Sequence, residues 1–135
     1  MSKKIVVLTA NGAQGSAIAR SVVARGHRAL ALTRSGRGPL AGVSYDTADL
    51  TDVDALSRAF AGADAVVFTS ALDYRTGARE RMAEAVVAAA ERAGAGRLVL
   101  NTAGQVFEGY DRPVSAVLRR VREIVLGGRT PAVIL

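Results

Sequence analysis

The stretch that decides the fold is Ile5-Val6-Val7-Leu8-Thr9-Ala10-Asn11-Gly12-Ala13-Gln14-Gly15-Ser16-Ala17. It opens on a short apolar run. It then turns through Gly12 and Gly15 and enters a helical pattern. Over Gln14–Arg25, Ile18 and Val22 lie four apart, and Gly26 follows as a left-handed stop. A strand, a tight glycine turn and a helix form one βα unit.

The rest of the chain repeats the unit. Ala29–Leu32, Ala65–Phe68, Leu98–Leu100 and Ala132–Leu135 are short apolar bursts, with Val43–Tyr45 a weaker sixth. Continuous rather than alternating apolarity marks strands covered on both faces, as in parallel sheets. Helical stripes lie between the bursts. Thr51-Asp52-Val53-Asp54 reads as a capping box that opens a helix with Val53, Leu56 and Phe60 on one side. Thr76–Ala93 carries Met82, Val86, Ala90 and Ala93 on one face and stops at Gly94. Pro113 suits a first helical turn, and Val114, Val117, Leu118, Val121 and Val125 form the stripe behind it. The order predicts an α/β fold: a doubly wound, Rossmann-like parallel sheet of about six strands with helices on both faces.

Such a sheet binds ligands beyond the carboxyl ends of its strands. Thr9–Gly15 lies at the first of these ends. Gly12 would let the backbone approach a pyrophosphate, and Gly15 would let the helix pack closely on the strand. The helix amides, including those of Ala13 and Gln14, would then face the anion. A purely structural turn is the alternative. Leu32-Thr33-Arg34-Ser35 ends the second strand, where the adenosine ribose of a dinucleotide would lie. A guanidinium there, from Arg34 with Arg37 close behind, pairs with a 2′-phosphate and favours NADP(H) over NAD(H). A surface arginine is the alternative. Asp49-Leu50 would flank the adenine, unless Asp49 serves helix capping. Thr69, Ser70 and Ala71 after the fourth strand, and Asn101, Thr102 and Ala103 after the fifth, offer small polar contacts to ribose and nicotinamide, with loops that hold no ligand as the alternative.

Composition narrows the classes. At 135 residues the chain is one domain, with 50% apolar and 22% charged residues, which excludes intrinsic disorder. Without cysteine and with one histidine, no disulfide framework, zinc cluster or metal site is expected. The lone His27 sits in a turn and reads as a surface or packing residue rather than a catalytic one. The net charge of +6 comes from 16 arginines and two lysines against 12 acids. Those arginines are scattered and not interleaved with aromatics, so a nucleic-acid partner is not expected. No run is long enough to span a membrane, and the amino-terminal apolar run is too short for a signal peptide. A cytoplasmic globular protein is the expectation.

The residues Thr9–Ser35 (TANGAQGSAIARSVVARGHRALALTRS) resemble the amino-terminal part of the atypical short-chain dehydrogenase/reductase group, its NmrA-like branch most of all. That group opens with GATGxxG, where Gly12 and Gly15 match the second and third glycines. Gly26-His27 matches its turn before the second strand, and Arg34 its NADP-reading basic residue. Ala48–Ala71 (ADLTDVDALSRAFAGADAVVFTSA) resembles the segment in which an Asp-Leu pair flanks adenine.

Three departures stand out. Thr9 replaces the first glycine, and a β-branched residue resists positive φ, so the turn is expected to differ locally or bind less tightly. The family's Tyr-x-x-x-Lys pair or lone lysine is missing: no lysine follows Lys4, Tyr110 has Val114 four residues on, and Val117–Arg119 stands where the lysine would fall. The family's last such strand also leads into a substrate region, which these 135 residues lack. The resemblance implies an NADP(H)-binding protein with quinone-reductase-like hydride transfer on an unidentified small molecule, catalytic residues unassigned. The alternative is a non-catalytic dinucleotide sensor or a regulatory or assembly partner. A final strand at the sheet edge would invite a homodimer.

Overall fold

The computed structural model describes residues 1–69, 73, 75–102 and 113–135, with Val114 described by its backbone alone. Ten elements follow one another: β1 (Lys4–Val7), α1 (Ala13–Ala24), β2 (Arg28–Leu32), β3 (Val43–Asp46), α2 (Val53–Phe60), β4 (Ala65–Thr69), α3 (Ala78–Ala93), β5 (Leu98–Asn101), α4 (Pro113–Gly127) and β6 (Ala132–Ile134). The strands form one six-stranded sheet in the order β3-β2-β1-β4-β5-β6. Every pairing is parallel. The doubly wound α/β reading therefore holds, including the weak strand over Val43–Tyr45.

This order has a simple cause. The chain leaves β1 in one direction to β2 and β3, then crosses back to β4 and continues to β5 and β6. Right-handed crossovers in opposite directions place their helices on opposite faces. The larger core packs Val6, Val66, Phe68, Leu98 and Leu100 of the sheet against Leu56 and Phe60 of α2, Val86 and Ala90 of α3, and Val121 and Val125 of α4. The smaller core sets Val7 and Ala31 against Ala19 and Ile18 of α1. Burial on both faces explains the unbroken apolar bursts. On the face of α1, the sheet continues as an in-register row of Val67, Val99 and Val133, of which Val133 is exposed.

Local chemistry sets the element ends. Gly26 and Gly94 take φ of 80° and 65°, as helix stops require. Asp52, not Thr51, caps α2: its carboxylate accepts from the Ala55 amide at 3.1 Å. Thr51 is unavailable because its hydroxyl and amide both donate to Asp49 Oδ1, at 2.6 and 2.8 Å. Helix α3 starts at Ala78 rather than Thr76, since Gly77 sits at φ 74° just before it. His27 Nδ1 accepts from the Lys3 amide at 3.3 Å, a structural role. No helix among the described residues is long and apolar enough to cross a membrane.

Candidate functional site

A cleft of about 850 Å³ opens at the carboxyl ends of the strands, where β1 and β4 diverge. Its centre is the turn from β1 into α1. Thr9 holds φ 52°, and no other non-glycine among the described residues has positive φ. The expected local departure is therefore absent: the turn keeps the left-handed step and the threonine bears it. For an L-residue that step costs roughly 1–2 kcal/mol. Bonds on both sides hold it in place. Thr9 Oγ1 donates to the Leu8 carbonyl at 2.7 Å, the Gly12 amide to the Thr9 carbonyl at 3.2 Å, and the Ala10 amide to the Leu32 carbonyl at 3.3 Å.

The two glycines serve different ends. Gly15 is buried, and a Cβ on it would lie 2.5 Å from the Thr9 carbonyl oxygen and 2.8 Å from Ala10 Cα. Only a glycine lets α1 sit this close to β1. Gly12 caps the helix with φ −71°, which any residue adopts. A Cβ there would meet the Thr9 oxygen at 3.4 Å and otherwise point into open space. No acidic residue stands in the first turn of α1, and Gly12 brings no side-chain cap. The leading amides and the positive end of the helix dipole thus face the cleft unneutralised, as an anion site requires.

The β2 end closes one flank. Buried Thr33 accepts from the Arg37 amide at 3.1 Å and donates to its carbonyl at 3.0 Å. Asn11 Nδ2 donates to the same carbonyl at 3.0 Å, tying this loop to the glycine turn. Arg34 is exposed at the rim, its carbonyl accepting from Thr47 Oγ1 at 3.2 Å. Beside it stand Ala48, Asp49 and Leu50. The two bonds from Thr51 hold the Asp49 carboxyl below the ordinary range. Asp49 thus shapes the loop before α2 while also lining the cleft.

At the opposite flank, Asn101 Nδ2 donates to Gln14 Oε1 at 2.8 Å and so links β5 to the first turn of α1. Thr102 is buried, and both its amide and its hydroxyl donate to the Leu135 carbonyl, at 2.8 and 2.7 Å. That hydroxyl is spent on fixing β6.

Of the residues read from the sequence, Thr9, Asn11, Gly12, Ala13, Gln14, Gly15, Arg34, Ser35, Asp49, Leu50, Thr69, Asn101 and Thr102 converge on this one cleft. Arg37 does not line it; its backbone is bound into the β2 loop instead. Ser70, Ala71 and Ala103 lie outside the described residues.

The cleft also gathers residues that motif reading passed over: Asp73, Arg75, Arg79, Met82 and Leu118. Asp73 and Arg75 form a forked pair, with Nη2 to Oδ2 at 2.6 Å and Nε to Oδ1 at 3.0 Å. The guanidinium holds the Asp73 carboxyl down at about 2. Arg79 is 6% exposed. A signal for it existed, because Arg79, Met82 and Val86 share one helical face at spacings of three and four, and a charge on an apolar stripe is unusual.

Comparison with known proteins agrees with this geometry. Residues 9–126 match the sequence profile of a family described as NAD(P)H-binding. A 2-alkyl-3-oxoalkanoate reductase of Stenotrophomonas maltophilia is 34% identical over 123 residues, a match covering 84% of this chain and 37% of that protein. A triphenylmethane reductase of Citrobacter has the same fold, with a TM-score of 0.83 at 22% identity over 97% of this chain and 47% of its own. An enzyme of Bordetella bronchiseptica, WbmG, solved with NAD and UDP, superposes with a TM-score of 0.76 at 20% identity over 99% of this chain and 52% of its own. This chain thus spans between about a third and a half of these proteins. The glycine turn, the switch-point cleft and the profile match together show that the chain belongs to the NAD(P)H-binding family.

Proposed function

We propose that the chain forms the NADP(H)-binding part of an NmrA-like short-chain reductase that acts in the cytoplasm on a small molecule. The observation that carries this reading is the glycine turn, where a helix end without acid or side-chain cap faces the cleft. The residues present fit a dinucleotide. The amides of Ala13, Gln14 and Gly15 would receive the pyrophosphate, with Gly12 leaving room for its approach. Arg34 with Ser35, and Arg37 from the same loop, would meet a 2′-phosphate. Asp49 and Leu50 would flank the adenine. Thr69, Ser70, Ala71, Asn101, Thr102 and Ala103 would lie toward the second ribose and the nicotinamide. When bound, the dinucleotide supplies the hydride; the protein orients it and excludes water. The reductase name of the 34% identical protein supports the oxidoreductase class; a quinone is the acceptor proposed for this chain.

A second reading is a dinucleotide sensor without turnover. It is favoured by Leu118, which is buried and lines the cleft within the stretch where the resemblance places a lysine. A second copy of the chain would add through β6, the edge strand, whose own Val133 is exposed; sedimentation velocity tests this, and a monomer at all concentrations rejects it.

Titration with NADPH and NADH, followed by nucleotide fluorescence, tests the main proposal. Arg34→Ala is expected to weaken NADPH by about tenfold or more, the worth of a charged hydrogen bond, and to leave NADH unchanged. Equal loss of both sinks the 2′-phosphate role, and no binding of either at millimolar concentration sinks both readings. Binding without NADPH oxidation by any of a panel of quinones selects the sensor.

A further inference from the structure

The two faces of the sheet are not equally covered. On one, α2, α3 and α4 build the larger core. On the other, α1 packs over β1, β2 and β3, and among the described residues no helix lies over β4, β5 and β6. Val67, Val99 and Val133 stand in register across those three strands and belong to neither core. Leu135 extends this apolar shelf: its amide donates to the Leu100 carbonyl at 2.8 Å, and its side chain is exposed. Parallel strands are normally covered on both faces, and these carry valine where a solvated face would carry polar residues.

The shelf has the width of one helix. Strands lie about 4.8 Å apart, so a helix above β4 and β5 would run about 9.6 Å from α1 above β1 and β2. Packed helices stand roughly 8–10 Å apart. The flank of α1 that looks onto the shelf is marked by Gln14, which accepts from Asn101 of β5 at 2.8 Å. Along the same flank follow Ala17 and Ser21, at spacings of three and four, both small and exposed. Small side chains there let a neighbouring helix come close.

Charge says which occupant fits. Residues 1–45 carry seven bases and no acid, whereas residues 46–135 carry eleven bases and twelve acids, so the excess of +6 comes from the first third of the chain. Arg25 closes α1, and Arg97 stands two residues before Val99, on the same face of β5. Both are exposed, and neither pairs with a carboxylate among the described residues. Asp64, at the start of β4, accepts instead from the Lys4 amide at 2.8 Å. A helix running beside α1 in the same direction would turn the negative end of its dipole toward Arg25 and Arg97. A second copy would bring an equally basic face to this one, which like-charge repulsion opposes.

We propose that the open face of β4, β5 and β6 docks one amphipathic helix of an acidic partner protein. Its apolar row rests on Val67, Val99, Val133 and Leu135, and carboxylates in its last turn pair with Arg25 and Arg97. The inference does not depend on what the cleft binds.

The probe is a fluorescein-labelled helical peptide of about 14 residues, slightly longer than α1, with leucine along one face and glutamate in its last turn. Its twin carries lysine in place of glutamate. Fluorescence anisotropy at low salt is expected to show the acidic peptide binding at least tenfold more tightly than the twin. Val99→Glu is expected to weaken the acidic peptide at least tenfold, and Arg97→Glu to reverse the order of the two peptides. Should Val99→Glu fail to melt like the parent, Ala17→Gln stands in: glutamine is a good helix former at this exposed position, and its length narrows the groove. A loss of at least fivefold is expected. Binding of neither peptide, equal binding of both, or binding that these variants leave unchanged overturns the proposal. So does a dimer in sedimentation velocity that Val99→Glu dissociates, which gives the shelf to a second copy. Displacement of the peptide by equimolar duplex DNA overturns it as well, and gives the basic side to nucleic acid.

Discussion

Two glycines three residues apart make opposite predictions for the same substitution. In Gly15→Ala, the new methyl would stand 2.5 Å from the Thr9 carbonyl oxygen and 2.8 Å from Ala10 Cα. Carbon contacts are comfortable near 3.5–4.0 Å, so about 1 Å must be found, and both obstacles are backbone. Overpacking of this kind typically costs roughly 1–3 kcal/mol, and more where side chains cannot swing away. Alanine returns about 1 kcal/mol through its better helix propensity. A net loss of about 1–2 kcal/mol remains, which for a domain of this size lowers Tm by roughly 4–8 °C. Because the shift must open the Thr9–Gly15 turn, nucleotide binding falls as well.

Gly12→Ala behaves otherwise. Its φ of −71° suits alanine, and its nearest contact would be 3.4 Å. Alanine is a poorer N-cap than glycine by about half a kcal/mol, but it restricts the unfolded chain by about as much. Tm is therefore expected to stay within roughly 2 °C. The methyl nevertheless points where a pyrophosphate would approach, so NADPH affinity is expected to drop at least tenfold. Far-UV dichroism melts and NADPH fluorescence titration, run on both variants, read the two effects apart. A Gly12→Ala chain that binds like the parent refutes the turn as a pyrophosphate cradle. A Gly15→Ala chain that melts like the parent refutes the packing argument.

Asp52→Ala removes the cap of α2 and is expected to cost about 1 kcal/mol, read as a lower urea midpoint at unchanged slope. Thr102→Val deletes the hydroxyl bond to Leu135 but keeps the amide bond; faster hydrogen exchange confined to β5 and β6 is expected, at a cost of about 1 kcal/mol. The Asp73 carboxyl, held at about 2 by the Arg75 fork, contributes above its unfolded value near 3.9 and loses that contribution as pH falls toward 2. Carbon-detected NMR titration of that carboxyl should therefore show its midpoint near 2; a midpoint at or above the unfolded value means the pair does not form in solution.

The strands were legible because burial on both faces writes itself as uninterrupted apolar runs, and the helices because their stripes end at Gly26 and Gly94. The glycine turn was legible from its context after β1. Other features depended on contacts between segments far apart in sequence. Thr51 looked like a cap until Asp49 claimed its hydroxyl. The anchoring of the Arg37 backbone by Thr33 and Asn11, which ties the β2 loop to the glycine turn, could not be read from local spacing. Thr102 sits at a strand end where ligands gather, but its hydroxyl is committed to Leu135. Arg79 and Leu118 share the cleft only because α3 and α4 pack side by side, which no local motif states.

Thr9 shows how a departure from a sequence pattern can leave the geometry intact. A left-handed step costs a threonine roughly 1–2 kcal/mol that a glycine would not bear. Glycine, however, frees the unfolded chain by about 0.5–1 kcal/mol and brings no hydroxyl. The hydroxyl of Thr9 bonds the Leu8 carbonyl at 2.7 Å, an interaction worth about 0.5–1.5 kcal/mol. The two sides nearly balance, so the fold tolerates threonine at a position that sequence reasoning reserves for glycine. What decides the turn is the pair of close approaches at Gly15, which no other residue permits, and that glycine is present. The consequence for function is that the missing first glycine does not by itself argue against a dinucleotide site: the helix end it would help to position is already in place.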